Sequence, residues 1–99
     1  MMNQVICIGR FVKVEDKGEN AVITIANTKV FKNEEGVYET NIIDFVLRGN
    51  MKDNVIEYCN KGDIIGIKGW IDTNKENENI LIAEKITFLS TNKESIKDE

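Results

Sequence analysis

Histidine is absent from the 99 residues, and with it the commonest general base and metal ligand. Catalysis would have to rest on Asp, Glu, Lys or Tyr. The sequence also contains no GxGxxG, no GxxxxGK followed by Ser or Thr, and no CxxC, and its carboxylates are spread along loop-like stretches. No catalytic or metal-binding constellation can be assembled from these parts, so the expectation is a protein that is not an enzyme and uses no metal, cofactor or small-molecule substrate. Proline is absent as well, and together with Asn-rich connections and many Ile and Val residues this favours a sheet-dominated protein. Cysteine occurs twice, at Cys7 and Cys59, far apart and in apolar surroundings. Each reads as a free, buried small hydrophobe rather than half of a disulfide. No apolar run approaches the roughly 20 residues of a membrane span. The opening MMNQVICIGRF has neither a basic region ahead of a long apolar segment nor a small-residue cleavage site, so it reads as a first strand. A cytoplasmic protein without membrane contact is expected.

What is present bounds the rest. A chain of this length with 41% hydrophobic residues supplies one core, hence one domain. A net charge of -4 excludes a generic polycation that coats nucleic acid by neutralising phosphates, so any such role must rest on a local patch.

Hydrophobic periodicity divides the chain into five strands and one helix. Gln4 to Val14 is β-rich, the cluster Lys17-Gly18-Glu19-Asn20 turns it, and Ala21 to Lys29 returns as the second strand, with Ala21, Ile23 and Ile25 on one face. Lys32 to Gly36 forms the next loop. From Val37 to Arg48 alternation is clearest: Ile43, Phe45 and Leu47 point inward, and Tyr38, Thr40, Ile42, Asp44, Val46 and Arg48 form an outward, candidate working face. Asn50 is placed to cap a short helix with Asp53 at its third position and a stripe of Met51, Val55 and Tyr58 or Cys59. Gly62 supplies a left-handed stop. Strand four follows, with Ile65, Ile67 and Ile71 inward, Ile64, Lys68 and Trp70 outward, and Gly66 and Gly69 where the sheet must bend. After a polar loop from Asn74 to Asn79, Ile80 to Leu89 is the fifth strand. Residues 90–99, STNKESIKDE, form a polar tail expected to be disordered beyond a folded domain of residues 1–89.

The order β-β-β-α-β-β, with the helix between the third and fourth strands, is that of the OB-fold, an all-β five-stranded Greek-key barrel. The helix plugs one end, and the strand glycines permit the curvature that closure needs.

Three blocks resemble the bacterial single-stranded DNA-binding protein family. MMNQVICIGRF is similar to the family's opening strand, Thr40 to Gly49 to its third strand, and Asn54-Val55 with Tyr58, Lys61-Gly62 and the Gly66/Gly69 strand to its helix-to-strand-four signature. The resemblance implies sequence-nonspecific binding of single-stranded DNA, serving replication, recombination or repair, by stacking bases on aromatics in an electropositive groove. It also implies a homo-oligomer, a dimer or tetramer. Of the family's four aromatic positions, one falls near Phe31, two fall at Ile42 and Arg48, and one falls near Glu76, so a single aromatic is retained. The end, KDE, lacks the Pro-Phe tip by which the resemblance would imply docking of other enzymes.

Read from the residues themselves, Phe31 lies in a cation-flanked segment, TKVFKN, where an aromatic either stacks on a base or folds back on the barrel. Arg48 can stack and pair with phosphate. Arg10, Lys29, Lys32, Tyr38 and Ile42 complete the candidate nucleic-acid surface, although scattered lysines are also an ordinary solvated surface and Glu34, Glu35, Glu76 and Glu78 dilute the field. Trp70, Ile64 and Val46 are candidates for a subunit interface, with DNA contact the other reading of Trp70. The loss of aromatics and the negative charge leave a second function open, an OB-fold module for protein interaction and oligomerisation in a replication or mobile-element assembly.

Overall fold

A computed structural model describes residues 2–90, without the Ser90 side chain. Its elements run β1 (Val5–Asp16), β2 (Asn20–Lys32), β3 (Tyr38–Arg48), α1 (Met51–Tyr58), β4 (Ile64–Thr73) and β5 (Asn79–Ser90). The strands close into a barrel in the order β1-β2-β3-β5-β4, the OB-fold topology expected from the sequence. The expected tail lies outside the described residues but for Ser90, which is the last residue of β5.

Alternation builds the core directly. Ala21, Ile23 and Ile25 of β2, Phe45 and Leu47 of β3, and Ile65 and Ile67 of β4 are buried, with Phe11 of β1, Ala83 of β5 and Val55 of the helix packed among them. Burying a side chain the size of Ile, Leu or Phe stabilises by about 1.5–3 kcal/mol. The barrel is held by long antiparallel ladders except at β3 and β5, which run parallel and register only through Val46 and Ile82. β1 pairs with β4 through its first half and with β2 through its second, and a register shift between Phe11 and Lys13 bends it from one sheet into the other. The turn at Asn60–Asp63 is fastened to that bend: the Phe11 N–H donates to the Asp63 carbonyl at 2.7 Å, and the Gly62 N–H donates to the Phe11 carbonyl at 3.0 Å.

The structure corrects several local expectations. β2 runs on to Lys32, so Phe31 and Lys32 are strand residues rather than loop residues. Asn50 occupies the cap position of α1 but makes no side-chain cap hydrogen bond, because its own backbone is already helical, at φ -71 and ψ -14. The helix ends at Tyr58, and Cys59 is already extended. Gly62, at φ 96, therefore serves the turn that follows rather than the helix end. Of the two alternatives for the end of the apolar stripe, Cys59 faces the core and Tyr58 is exposed. Ile71 has the inward parity of Ile65 and Ile67 but is exposed, since β4 has by then run past the packed part of the barrel. Both cysteines are free and half-buried rather than fully buried. The two strand glycines differ: a Cβ at Gly66 would find ordinary room, whereas one at Gly69 would overlap the Ile82 carbonyl. Of these two β4 glycines, Gly69 is the one demanded by a close approach of two backbones, beside a register shift between β4 and β5.

Candidate nucleic-acid interface

The outward face of β2 and β3 is one continuous surface, because paired residues of an antiparallel ladder point the same way. Its rows are Asn20 with Arg48, Val22 with Val46, Thr24 with Asp44, Ala26 with Ile42, and Thr28 with Thr40. Beyond Thr28 the register shifts and resumes at Lys32 with Tyr38, so that Lys29, Val30 and Phe31 stand against Glu39 alone. A bulge of this kind redirects side chains. Here it leaves Val30 81% and Phe31 82% exposed, with Tyr38 52% exposed beside them. The Phe31 ring faces solvent and does not fold back on the barrel.

Around Phe31 the cations differ in state. Lys32 holds its ammonium 5.6 Å from the centre of the Tyr38 ring. Lys29 pairs with Glu39 at 3.4 Å, and Glu39 also accepts a hydrogen bond from the Asn33 amide at 3.1 Å. These contacts, Asn33 first and Lys29 second, hold the Glu39 carboxyl below the usual carboxylate range. Lys29 is thus partly neutralised. Glu34 and Glu35 join Asn33 and Glu39 around an acidic depression at this end of the hairpin.

The middle of the face is aliphatic. Ile42 is 65% exposed and, with Val22, Val46 and Ile80, lines an open groove between β3 and the start of β5. The groove contains one carboxylate, Asp44, which accepts the Thr24 hydroxyl at 2.6 Å. Nearer the hairpin, the Asn41 amide donates to Asn27 at 3.1 Å and ties β2 to β3. Arg10 stands on β1 in the same row as Ala26 and lines a second shallow depression with Ile8, Ala26, Asn27, Thr28 and Ile64.

At the other end, the Arg48 guanidinium lies 5.4 Å from the centre of the Trp70 ring. Trp70 registers with Ile82, which registers with Val46, so three strands converge under this stack and Ile82 is only 3% exposed although it points outward. Arg48 was expected on the nucleic-acid surface and Trp70 at a subunit interface or against DNA; the structure sets the two side chains against each other. The candidate nucleic-acid residues therefore share a face without sharing a groove: Phe31, Lys32, Tyr38 and Lys29 at the hairpin end, Ile42 in the middle, Arg10 across β2 from it on β1, and Arg48 at the far end. Of the candidate interface residues, Trp70, Val46 and Ile64 are all half-buried within the protomer.

A more exposed apolar surface was missed. Ile6 and Ile8, 65% and 57% exposed, point outward from β1 beside Gly66 and Lys68 of β4, and Leu89 of β5 lies over Gly66. The signal was available in VICIGR, where Ile6 and Ile8 alternate with Val5 and Cys7, both of which pack on the core.

No family model matches the chain. It is 31% identical over 94 residues to single-stranded DNA-binding protein B of Bacillus subtilis (strain 168), covering 85% of this chain and 83% of that protein. In structure it is similar to the mitochondrial single-stranded DNA-binding protein Rim1 of S. cerevisiae, with a TM-score of 0.69 at 18% identity over 93% of this chain and all of that one. It is also similar to an SSB of Plasmodium falciparum solved in complex with ssDNA, with a TM-score of 0.67 at 18% identity over 91% of this chain and 96% of that one.

Proposed function

The chain belongs to the family of single-stranded DNA-binding proteins, and from that premise we propose that it binds single-stranded DNA without sequence preference on the outward face of β2 and β3, with no catalytic step. The observation that carries this reading is the nearly complete exposure of Phe31 in a bulge flanked by Lys29 and Lys32, beside the Lys32–Tyr38 pair. A bare aromatic among cations gains from a base what solvent does not give it, roughly 1–3 kcal/mol per stack. The neighbouring aliphatic groove at Ile42 offers a base apolar contact, and Arg10 and Arg48 offer charge to phosphates. The cellular role is strand protection in replication, recombination or repair, in the cytoplasm.

Binding is assigned to an assembly rather than to one barrel. Ile6, Ile8 and Leu89 form an exposed apolar stripe across β1, β4 and β5, bordered by Arg10 and by Lys68 and Lys85, which face each other across the ladder. Such a stripe on so small a protein is the surface to bury in a symmetric homo-oligomer, a dimer or tetramer. This face, more than Trp70, Val46 and Ile64, is where the protomers are proposed to meet.

A second reading keeps the fold and drops the DNA: an interaction module within a replication or mobile-element assembly. Asp44 in the groove and the carboxylates of Glu34, Glu35 and Glu39 at the hairpin favour it. A titration of labelled oligo-dT at low salt, beside the matching duplex and single-stranded RNA, decides between the two. A preference for oligo-dT over duplex is expected; equal, weak binding of both, with Phe31→Ala unchanged, would hand the face to a protein partner.

A further inference from the structure

Beyond Thr28 and Thr40, the last regular row of the β2–β3 ladder before the bulge, Glu39 is the β3 residue that faces Lys29, Val30 and Phe31. The two oxygens of its carboxylate have different partners. Oε1 lies 3.4 Å from the Lys29 ammonium, and Oε2 accepts the Asn33 amide at 3.1 Å. Asn33 is itself fixed, since its Oδ1 accepts the Glu35 N–H at 2.9 Å and the Val37 N–H at 3.0 Å. The carboxyl that these contacts hold below the usual range is ionised at neutral pH. Of the two cations that flank Phe31, Lys29 is thus occupied by a carboxylate. Lys32 lies over the Tyr38 ring and belongs to none of the salt bridges among the described residues, which are Lys17–Glu15, Lys29–Glu39 and Lys52–Asp16.

Resting on the ssDNA-binding reading above, we propose that Glu39 is a built-in competitor of DNA: in the free protein its carboxylate occupies Lys29 in place of a phosphate, and a strand binds by displacing it. The exchange strands no charge. Lys29 gives up Oε1 for a phosphate oxygen, Oε2 stays on Asn33, and the released Oε1 turns to the solvent that already reaches the pair, whose side chains are 46% and 53% exposed. An ion pair this exposed is weak, so Glu39 attenuates binding rather than preventing it. The effect falls on affinity and on salt dependence together, because a phosphate that meets a cation already matched by a carboxylate releases less of its counterion atmosphere. Phe31 makes no part of this contact, and its stack is left as it is. The hairpin end therefore holds a base through Phe31 while gripping the backbone lightly, which favours release of the strand.

Glu39→Gln removes the charge, keeps the length of the side chain and disturbs no core packing. Anisotropy of a labelled oligo-dT, measured over a series of salt concentrations, compares wild type, Glu39→Gln, Lys29→Met and the double variant. Glu39→Gln is expected to bind about two- to fivefold more tightly at low salt. Its slope of log affinity against log salt should steepen by up to about 0.7, one phosphate contact. With Lys29 already replaced by Met, Glu39→Gln should change neither quantity, which separates a specific contact from general repulsion between carboxylate and phosphate. Glu34→Gln, the same loss of charge in the same depression, should gain less than Glu39→Gln. Affinity of Glu39→Gln no higher than wild type, or an equal gain in the Lys29→Met background, overturns the competitor role and leaves the binding reading standing. Absence of an anisotropy rise with every one of these proteins removes the binding reading itself, and the competitor role with it.

Discussion

Three residues illustrate how differently single side chains act in this barrel. Phe31 is almost entirely solvated, so deleting its ring removes no core packing. Phe31→Ala should leave the stability measured by urea unfolding within about 0.5 kcal/mol of wild type. It should cost about 1–3 kcal/mol in oligo-dT affinity with little change in salt slope, because a stack is lost and no charge. Gly69 is the reverse case: a methyl there meets the backbone carbonyl of Ile82, which cannot rotate away as a side chain would. Gly69→Ala should destabilise by roughly 1–3 kcal/mol in urea denaturation, and a neutral outcome would show that the β4–β5 crossing has slack. Cys59 shows the pH consequence of partial burial. Desolvation, and then the charge of Asp63, push its thiol up to about 11. The thiolate is the reactive form, so native-state labelling at neutral pH should be slow and become fast on unfolding. With the folded value raised, the stabilising contribution is complete below the unfolded value of about 8.5 and disappears as pH rises through about 11. Cys59→Ala should therefore lose less stability than wild type across that alkaline window.

Among the elements, the helix depends most on its surroundings. At eight residues it is too short to be stable alone, and its cap residue makes no side-chain bond. Asn50→Ala should accordingly change stability by less than about 0.5 kcal/mol, short of the ~1 kcal/mol typical of a working cap. What holds the helix is burial of Val55 in the barrel mouth and a tie from Lys52 to the β1–β2 turn. The Lys52 ammonium donates to the Asp16 carboxylate at 2.9 Å and also to the Gly18 carbonyl. Asp16 accepts the Gly18 N–H as well, and that bond first, Lys52 second, lowers its pKa. A depressed folded value means the contribution is present above the unfolded value, near 3.9, and is lost as pH falls through the folded one. Replacing Lys52 with Met should shrink that acid-side loss, measurable as a flatter dependence of the urea midpoint on pH below about 4; an unchanged acid limb would show that the tie carries no stability.

For the whole molecule, assembly and charge set the behaviour. The chain carries 13 basic and 17 acidic side chains, so its attraction for DNA is local and modest. With three or four phosphates met, the logarithm of affinity should fall against the logarithm of salt with a slope of about 2–3 per subunit, at roughly 0.7 per contact. Light scattering at tens of micromolar should give a dimer or tetramer mass, and Ile8→Glu should shift it toward monomer by setting a charge in the apolar stripe of β1. A monomer mass for the wild type would sink the proposed assembly. A steep salt slope would mean that more cations than Arg10, Lys29, Lys32 and Arg48 reach the backbone.

The sequence by itself determined what alternation and local turn chemistry encode. The period of two in β2 and β3 named Ile23, Ile25, Phe45 and Leu47 as core. The positions of the turns gave the strand order, and the order gave the barrel. The hairpin end of the candidate site was legible for the same reason, since Phe31, Lys32 and Tyr38 are near neighbours along the chain. The tertiary structure alone decided how strands meet. The bulge that frees Phe31, the laying of Arg48 on Trp70, the placing of Arg10 beside Ala26 and the close approach at Gly69 are all fixed by cross-strand register. Register is set by hydrogen bonds between residues far apart in sequence, and a one-residue slip would change every such neighbour while leaving the local hydrophobic pattern as it was.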